Sequence, residues 1–157
     1  MSDHARADDF AAWVQPHLTV MSRYAARLAG PHDGDDLVQE SLERAWRRWQ
    51  TFDESRGSAQ AWLLAILHDR ARRQRTRRRP TAELVDTSQV DHYADLDLER
   101  AVARLHPRQL QAVDLHYFVG LDVATTAQVM GCAEGTVKAT LHQARTRLRI
   151  LLGEPDE

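Results

Sequence analysis

The residues best suited to a chemical task lie near the C-terminal end, in the run Glu134, Thr136, Lys138, Ala139, Thr140 and His142, followed by Arg145 and Arg149. They combine small and polar groups that read base edges with guanidinium groups that bind phosphate. A second concentration of cations, seven arginines between Arg70 and Arg79, suits the same polyanionic partner. Three origins fit that cluster: phosphate contacts, the end of a surface helix, or an unstructured basic tail. Catalytic groupings do not emerge. The eight histidines stand at no metal-ligand spacing with a carboxylate or cysteine, and neither a glycine-rich phosphate loop nor a nucleophile elbow occurs. The sequence therefore calls for no cofactor and points away from an enzyme. Cys132, the single cysteine, allows no internal disulfide and reads as a small filler, with a redox role left open.

Side chains of this kind need helices to present them. In the stretch from Leu121 to Leu152, a short helix from about Asp122 to Met130 precedes a turn at Gly131-Cys132-Ala133. A longer helix follows, with Val137, Leu141, Ala144, Leu148 and Leu151 inward. Those lengths fit a helix-turn-helix, with Gly131 where the turn needs a residue tolerant of positive φ. A helical hairpin with a charged face has the same spacing. Upstream, Leu98, Ala101, Val102 and Leu105 form one apolar stripe. Pro107 opens a further helix bearing Leu110, Val113, Leu115 and Phe118, ended by Gly120.

The N-terminal half is helical too. Phe10, Trp13 and Val14 make a short stripe, and Leu18, Met21, Ala25 and Leu28 make a second that Gly30 and Pro31 stop. Asp33-Gly34-Asp35-Asp36 is a helix-start signal, with carboxylates at the positive dipole end. The helix it opens puts Val38, Leu42, Ala45, Trp46 and Trp49 inward. Its other face shows Asp36, Gln39, Glu40, Glu43, Arg44, Arg47 and Arg48. A turn-rich loop, 50–58, leads to a helix capped by Ser58, with Trp62, Leu63 and Ile66 inward. No alternating strand pattern competes.

The 157 residues carry a net charge of −2, an odd balance for a chain that binds nucleic acid unaided. Segment by segment the charge is uneven. Residues 1–80 sum to +3, residues 81–99 to −6 with no basic side chain, and residues 100–157 to +1. The expected fold is all-α: two small helical domains, 1–80 and 98–157, the second containing the helix-turn-helix. An acidic flexible linker, 81–97, joins them. No apolar run approaches the roughly 18 residues of a membrane span, and the N-terminus is acidic where a signal peptide would be basic. A cytoplasmic protein without membrane insertion is expected.

Three motifs in order, DDLVQESLERAW (35–46), FDESRGSAQAWLLAI (52–66) and GTVKATLHQARTRLR (135–149), separated by the acidic linker, resemble those of extracytoplasmic-function (ECF) sigma factors of the sigma-70 family. The resemblance covers residues 8–152. It implies a transcription initiation factor whose first domain binds the clamp helices of bacterial core RNA polymerase and opens the −10 element, while the second binds the −35 element. It assigns Asp36, Leu37, Gln39, Glu40 and Arg44 to polymerase. Phe52, Asp53, Ser55, Arg56, Gly57, Ser58 and Gln60 would form a pocket for an unstacked base, with Arg70, Arg72 and Arg73 on nearby phosphates. The −35 set is the C-terminal run named first. Promoter DNA, core polymerase and an anti-sigma factor are the implied partners.

Several positions depart from the family pattern. Ala59 and Gln60 replace an aromatic and a cation, Asp69 an asparagine, Thr125 and Thr126 a Glu-Ile pair, and Ala139, Thr140 and Gln143 residues that are often Ser, Arg and Arg. Fewer cations at DNA-facing positions imply weak or unusual promoter recognition. A sigma-like interaction protein, which binds polymerase or an anti-sigma factor without efficient promoter activity, is the alternative.

Overall fold

A computed structural model describes residues 3–77 and 93–153, which fall in two compact units, Met1–Arg78 and Arg79–Glu157. All their regular structure is helical; there is no strand among the described residues.

In the first unit, α1 (Asp3–Val14) leads through a single 3-10 turn into α2 (Leu18–Arg48), and two further 3-10 turns precede α3 (Ala59–Arg77). Gly30 breaks α2 with φ 80° and ψ 173°, a conformation open to glycine, and Pro31 starts the second segment with its preset φ. The break frees carbonyls at the end of the first segment, and the Arg75 guanidinium of α3 donates to one of them, the Leu28 oxygen, at 2.8 Å. The second segment thus begins ahead of the Asp33–Asp36 signal. Gly34 has a separate role: a Cβ there would stand 3.3 Å from the Ala26 nitrogen, so the missing side chain lets the two segments approach. Met21, Tyr24, Ala25, Leu37, Ala45, Leu63, Leu64 and Leu67 form the core between α2 and α3. Leu18, expected inward, is 36% exposed at the start of α2.

All four tryptophans sit together at one end of this unit. Phe10, Trp13, Trp46, Trp49, Phe52 and Trp62 pack with ring centroids 5.1 to 6.3 Å apart, and the Arg6 guanidinium covers the Trp46 ring at 4.9 Å. Trp46 and Trp49 are half-buried here and do not enter the deep core. The cluster ties α1, the end of α2, the connecting loop and α3 to one another.

The second unit comprises α4 (Tyr93–Ala103), α5 (Pro107–Val113), a π turn (Asp114–Phe118), α6 (Val123–Met130) and α7 (Glu134–Leu152). Residues 81–92 of the expected linker lie outside the described residues, and 93–97 form the start of α4. His106 caps α5: its ring accepts from the Arg108 amide, while Gln109 accepts from the His106 amide. The core is made by Ala101, Val102, Leu105, Ala112, Val113, Leu115, Val119, Leu121, Ala127, Val137, Leu141 and Ala144. Leu98 and Phe118, both expected inward, are each 39% exposed. For Phe118 the reason is the π turn. Its closing bond, Val119 N–H to the Asp114 oxygen at 2.9 Å, adds a residue to the repeat, which buries Asp114 and Val119 together and turns Tyr117 and Phe118 outward.

Candidate nucleic-acid interface

The helix-turn-helix is built from local capping. The Asp122 carboxylate accepts the Thr125 amide at 2.7 Å and starts α6. That bond, with a second from the Thr125 hydroxyl, holds the Asp122 carboxyl below its ordinary 3.8. At the other end Gly131 takes φ 66°, and the Cys132 amide donates back to the Ala127 oxygen at 3.1 Å, closing a left-handed C-cap. The buried Thr126 hydroxyl bonds the Asp122 oxygen at 2.8 Å, so the polar atom at this core position is satisfied within its own helix.

On α7, Val137, Leu141 and Ala144 face the core. Lys138, His142, Arg145 and Arg149, at spacings of four, three and four, form one exposed ridge beside that buried line. Thr136 and Thr140 fall on the opposite edge of the exposed surface, with Ala139 between, and Glu134 occupies the first turn. The Thr140 hydroxyl is turned to its own helix, bonding the Thr136 oxygen at 2.8 Å. The −35 set is therefore two edges and not one face. Arg145 reaches further, to Tyr117 on the π turn: its Nη1 donates to the tyrosine oxygen at 2.9 Å. Sequence patterning missed Tyr117, because only the π turn brings it to the surface.

In the first unit, the loop assigned to strand capture is internally bonded. Phe52 packs edge-on against Trp13 at 5.1 Å and beside Trp62 at 5.4 Å. Asp53 accepts from both the hydroxyl and the amide of Ser55, at 2.7 and 3.0 Å, which lowers its carboxyl from 3.8; Arg56 lies 3.8 Å from the same carboxylate. Ser58 caps α3 by accepting the Ala61 amide at 3.1 Å, and Gly57 and Gln60 are half-buried alongside. The loop thus holds its shape without a partner.

The arginine cluster is helical as far as Arg77, which replaces the basic-tail origin for that stretch; Arg78 and Arg79 lie outside the described residues. Arg70 donates to Glu40 at 2.7 Å, and Gln74 bonds the same oxygen at 2.7 Å. One residue assigned to polymerase and one assigned to DNA are thus joined to each other. Asp69 draws Arg72 (3.7 Å) and Arg73 (3.3 Å), although Arg72 remains 72% exposed. On α2, Asp36 and Gln39 are exposed and Arg44 is half-buried. Leu37 is corrected: at 1% exposure it belongs to the α2–α3 core and has no surface to offer a partner.

A chain of two helical units, one of them a helix-turn-helix with a basic ridge on its second helix, is of the class that positions short helices on nucleic acid. Residues 13–81 match the family described as Sigma-70 region 2, and residues 95–148 match Sigma-70, region 4. The ECF RNA polymerase sigma factor SigL of Mycobacterium tuberculosis is 32% identical, over 96% of this chain and 92% of that protein. The RNA polymerase sigma-E factor of Streptomyces coelicolor is 33% identical, over 90% and 84%. Among solved structures, sigma factor RpoE of Bartonella quintana, in complex with the anti-sigma factor NepR, superposes with a TM-score of 0.64 at 28% identity, covering 92% of this chain and 97% of that one. This chain belongs to the ECF sigma factors of the sigma-70 family, and so to the non-enzymatic factors of transcription initiation. No helix of the described residues is long and apolar enough to cross a membrane.

Proposed function

We propose that this chain binds bacterial core RNA polymerase through α2 (Asp36, Gln39, Glu40 and Arg44) and directs it to promoters with a −10 and a −35 element. The first unit, residues 1–80, opens the −10 element at the loop from Phe52 to Gln60, with Arg72 and Arg73 on phosphates. The second, which begins with α4, sets α7 in the major groove of the −35 element, and the acidic stretch ahead of α4 connects the two. The observation that carries this reading is the ridge of Lys138, His142, Arg145 and Arg149 on the second helix of a closed helix-turn-helix. Run-off transcription with purified core polymerase, on a promoter obtained by selection, tests it. The expected product is a discrete transcript that depends on both elements.

A second reading has support of its own. Arg70 is tied to Glu40, and Asp69 draws on Arg72 and Arg73, so the first unit offers less cation to DNA than its sequence implies. A relative of the same family is described in complex with an anti-sigma factor. A protein that holds polymerase or an anti-sigma factor with little promoter activity fits these facts. Polymerase binding without any promoter-dependent transcript would favour it over initiation.

A further inference from the structure

The contact between Arg145 and Tyr117 joins a candidate DNA residue to an aromatic that no motif includes. Tyr117 is 52% exposed, yet its ring is braced. The His116 ring stands edge-on to it at 4.9 Å, and His116 Nδ1 is 2.7 Å from the Leu121 carbonyl, so the imidazole donates there and is fixed in that tautomer. A chain of contacts thus runs from the backbone after the π turn, through His116 and Tyr117, to the guanidinium of Arg145. In the last bond the tyrosine oxygen can only accept, because a guanidinium has no acceptor. That bond leaves the phenol hydrogen of this half-exposed residue unused.

We infer that Tyr117 and Arg145 form a two-donor phosphate clamp on the DNA face of the second unit. Tyr117 gives its O–H to the phosphate that Arg145 neutralises, and it holds the guanidinium so that little side-chain freedom is lost on binding. The π turn is what makes this possible, since an uninterrupted α-helix would carry Tyr117 round to a different face. The inference rests on α7 being the −35 face, and it adds a residue from outside the helix-turn-helix to that surface.

The test is equilibrium binding of the holoenzyme, full-length chain with core polymerase, to a −35/−10 promoter duplex over a range of salt. It compares Tyr117→Phe, Arg145→Ala and the double variant, with the unfolding midpoint of each chain as control. Tyr117→Phe removes the hydroxyl alone, and is expected to weaken binding roughly tenfold at an unchanged unfolding midpoint. Arg145→Ala weakens it at least as much and flattens the log–log salt slope by about 0.9. In the Arg145→Ala background the Tyr117→Phe loss shrinks to about threefold or less, because the two act on one phosphate. Wild-type binding by Tyr117→Phe, or the same loss with and without Arg145, overturns the clamp. Unchanged binding by Arg145→Ala overturns it differently, by removing α7 from the −35 element altogether.

Discussion

The ridge on α7 separates two kinds of contact that one helix can make. Lys138 lies in the N-terminal third, where a recognition helix meets base edges, whereas Arg149 lies three turns on, nearer the strand backbone. Replacing Lys138 with alanine is expected to alter base preference within the −35 element, and replacing Arg149 to weaken binding evenly across sequences and flatten the salt slope by about 0.9. Selection from a randomised −35 library with each variant distinguishes them; identical outcomes would put the helix in the wrong orientation. A second residue-level expectation concerns Asp53. Hydrogen bonds from the Ser55 hydroxyl and amide hold its carboxyl below 3.8, so the order they lend the loop is fully present above about pH 4. It is lost as pH falls through the depressed value. An NMR titration should find the Asp53 pKa under 3.8 in the wild type and closer to 3.8 in Ser55→Ala. Equal values in the two would leave the loop without its cap.

Among the elements, α2 and α3 are coupled by side chains that the family pattern assigns to different partners. Arg70 and Gln74 converge on one Glu40 oxygen, and Arg75 caps Leu28. Arg70→Ala is therefore expected to lower the unfolding free energy of the free chain, read by urea denaturation, by up to about 1 kcal/mol, a modest figure because both partners are partly exposed. Arg72→Ala should leave the midpoint in place and weaken promoter binding by the holoenzyme. A fall in salt slope for Arg70→Ala equal to that for Arg72→Ala would return Arg70 to the phosphate backbone. The sequence showed which elements exist here but not this division of labour. Apolar spacing located α3 and α7, and residue type placed the caps at Ser58 and Gly131, because each depends on neighbours within one turn. Glu40 and Arg70 are 30 positions apart, and no periodicity connects them. Leu37 was assigned to polymerase on its place in a motif, whereas its burial follows from the helix packed against it. Tyr117 was hidden because the π turn departs from the 3.6-residue repeat on which inward and outward faces are counted.

At the scale of the molecule, the net charge of −2 first argues against nucleic acid, and its distribution changes what that argument means. The segments 1–80 and 100–157 sum to +3 and +1, and the stretch between them to −6. The intramolecular pairs at Glu40 and Asp69 reduce the free cation further. Each half can neutralise only a few phosphates, and sets of that size leave Kd values of roughly 10⁻⁴ to 10⁻⁶ M at physiological salt. Tethering both units to one polymerase converts the second contact into an intramolecular event at an effective concentration on the order of millimolar, which multiplies two weak affinities. The expected result is that the free chain binds a −35/−10 duplex no tighter than about 1 μM at 150 mM salt. The holoenzyme on the same duplex should bind at least about a hundredfold tighter, with a steeper salt slope than either element alone. Measuring both at matched salt settles the point. Nanomolar binding by the free chain would mean that its acidic middle does not offset the basic surfaces, and that polymerase is not needed to bring them together.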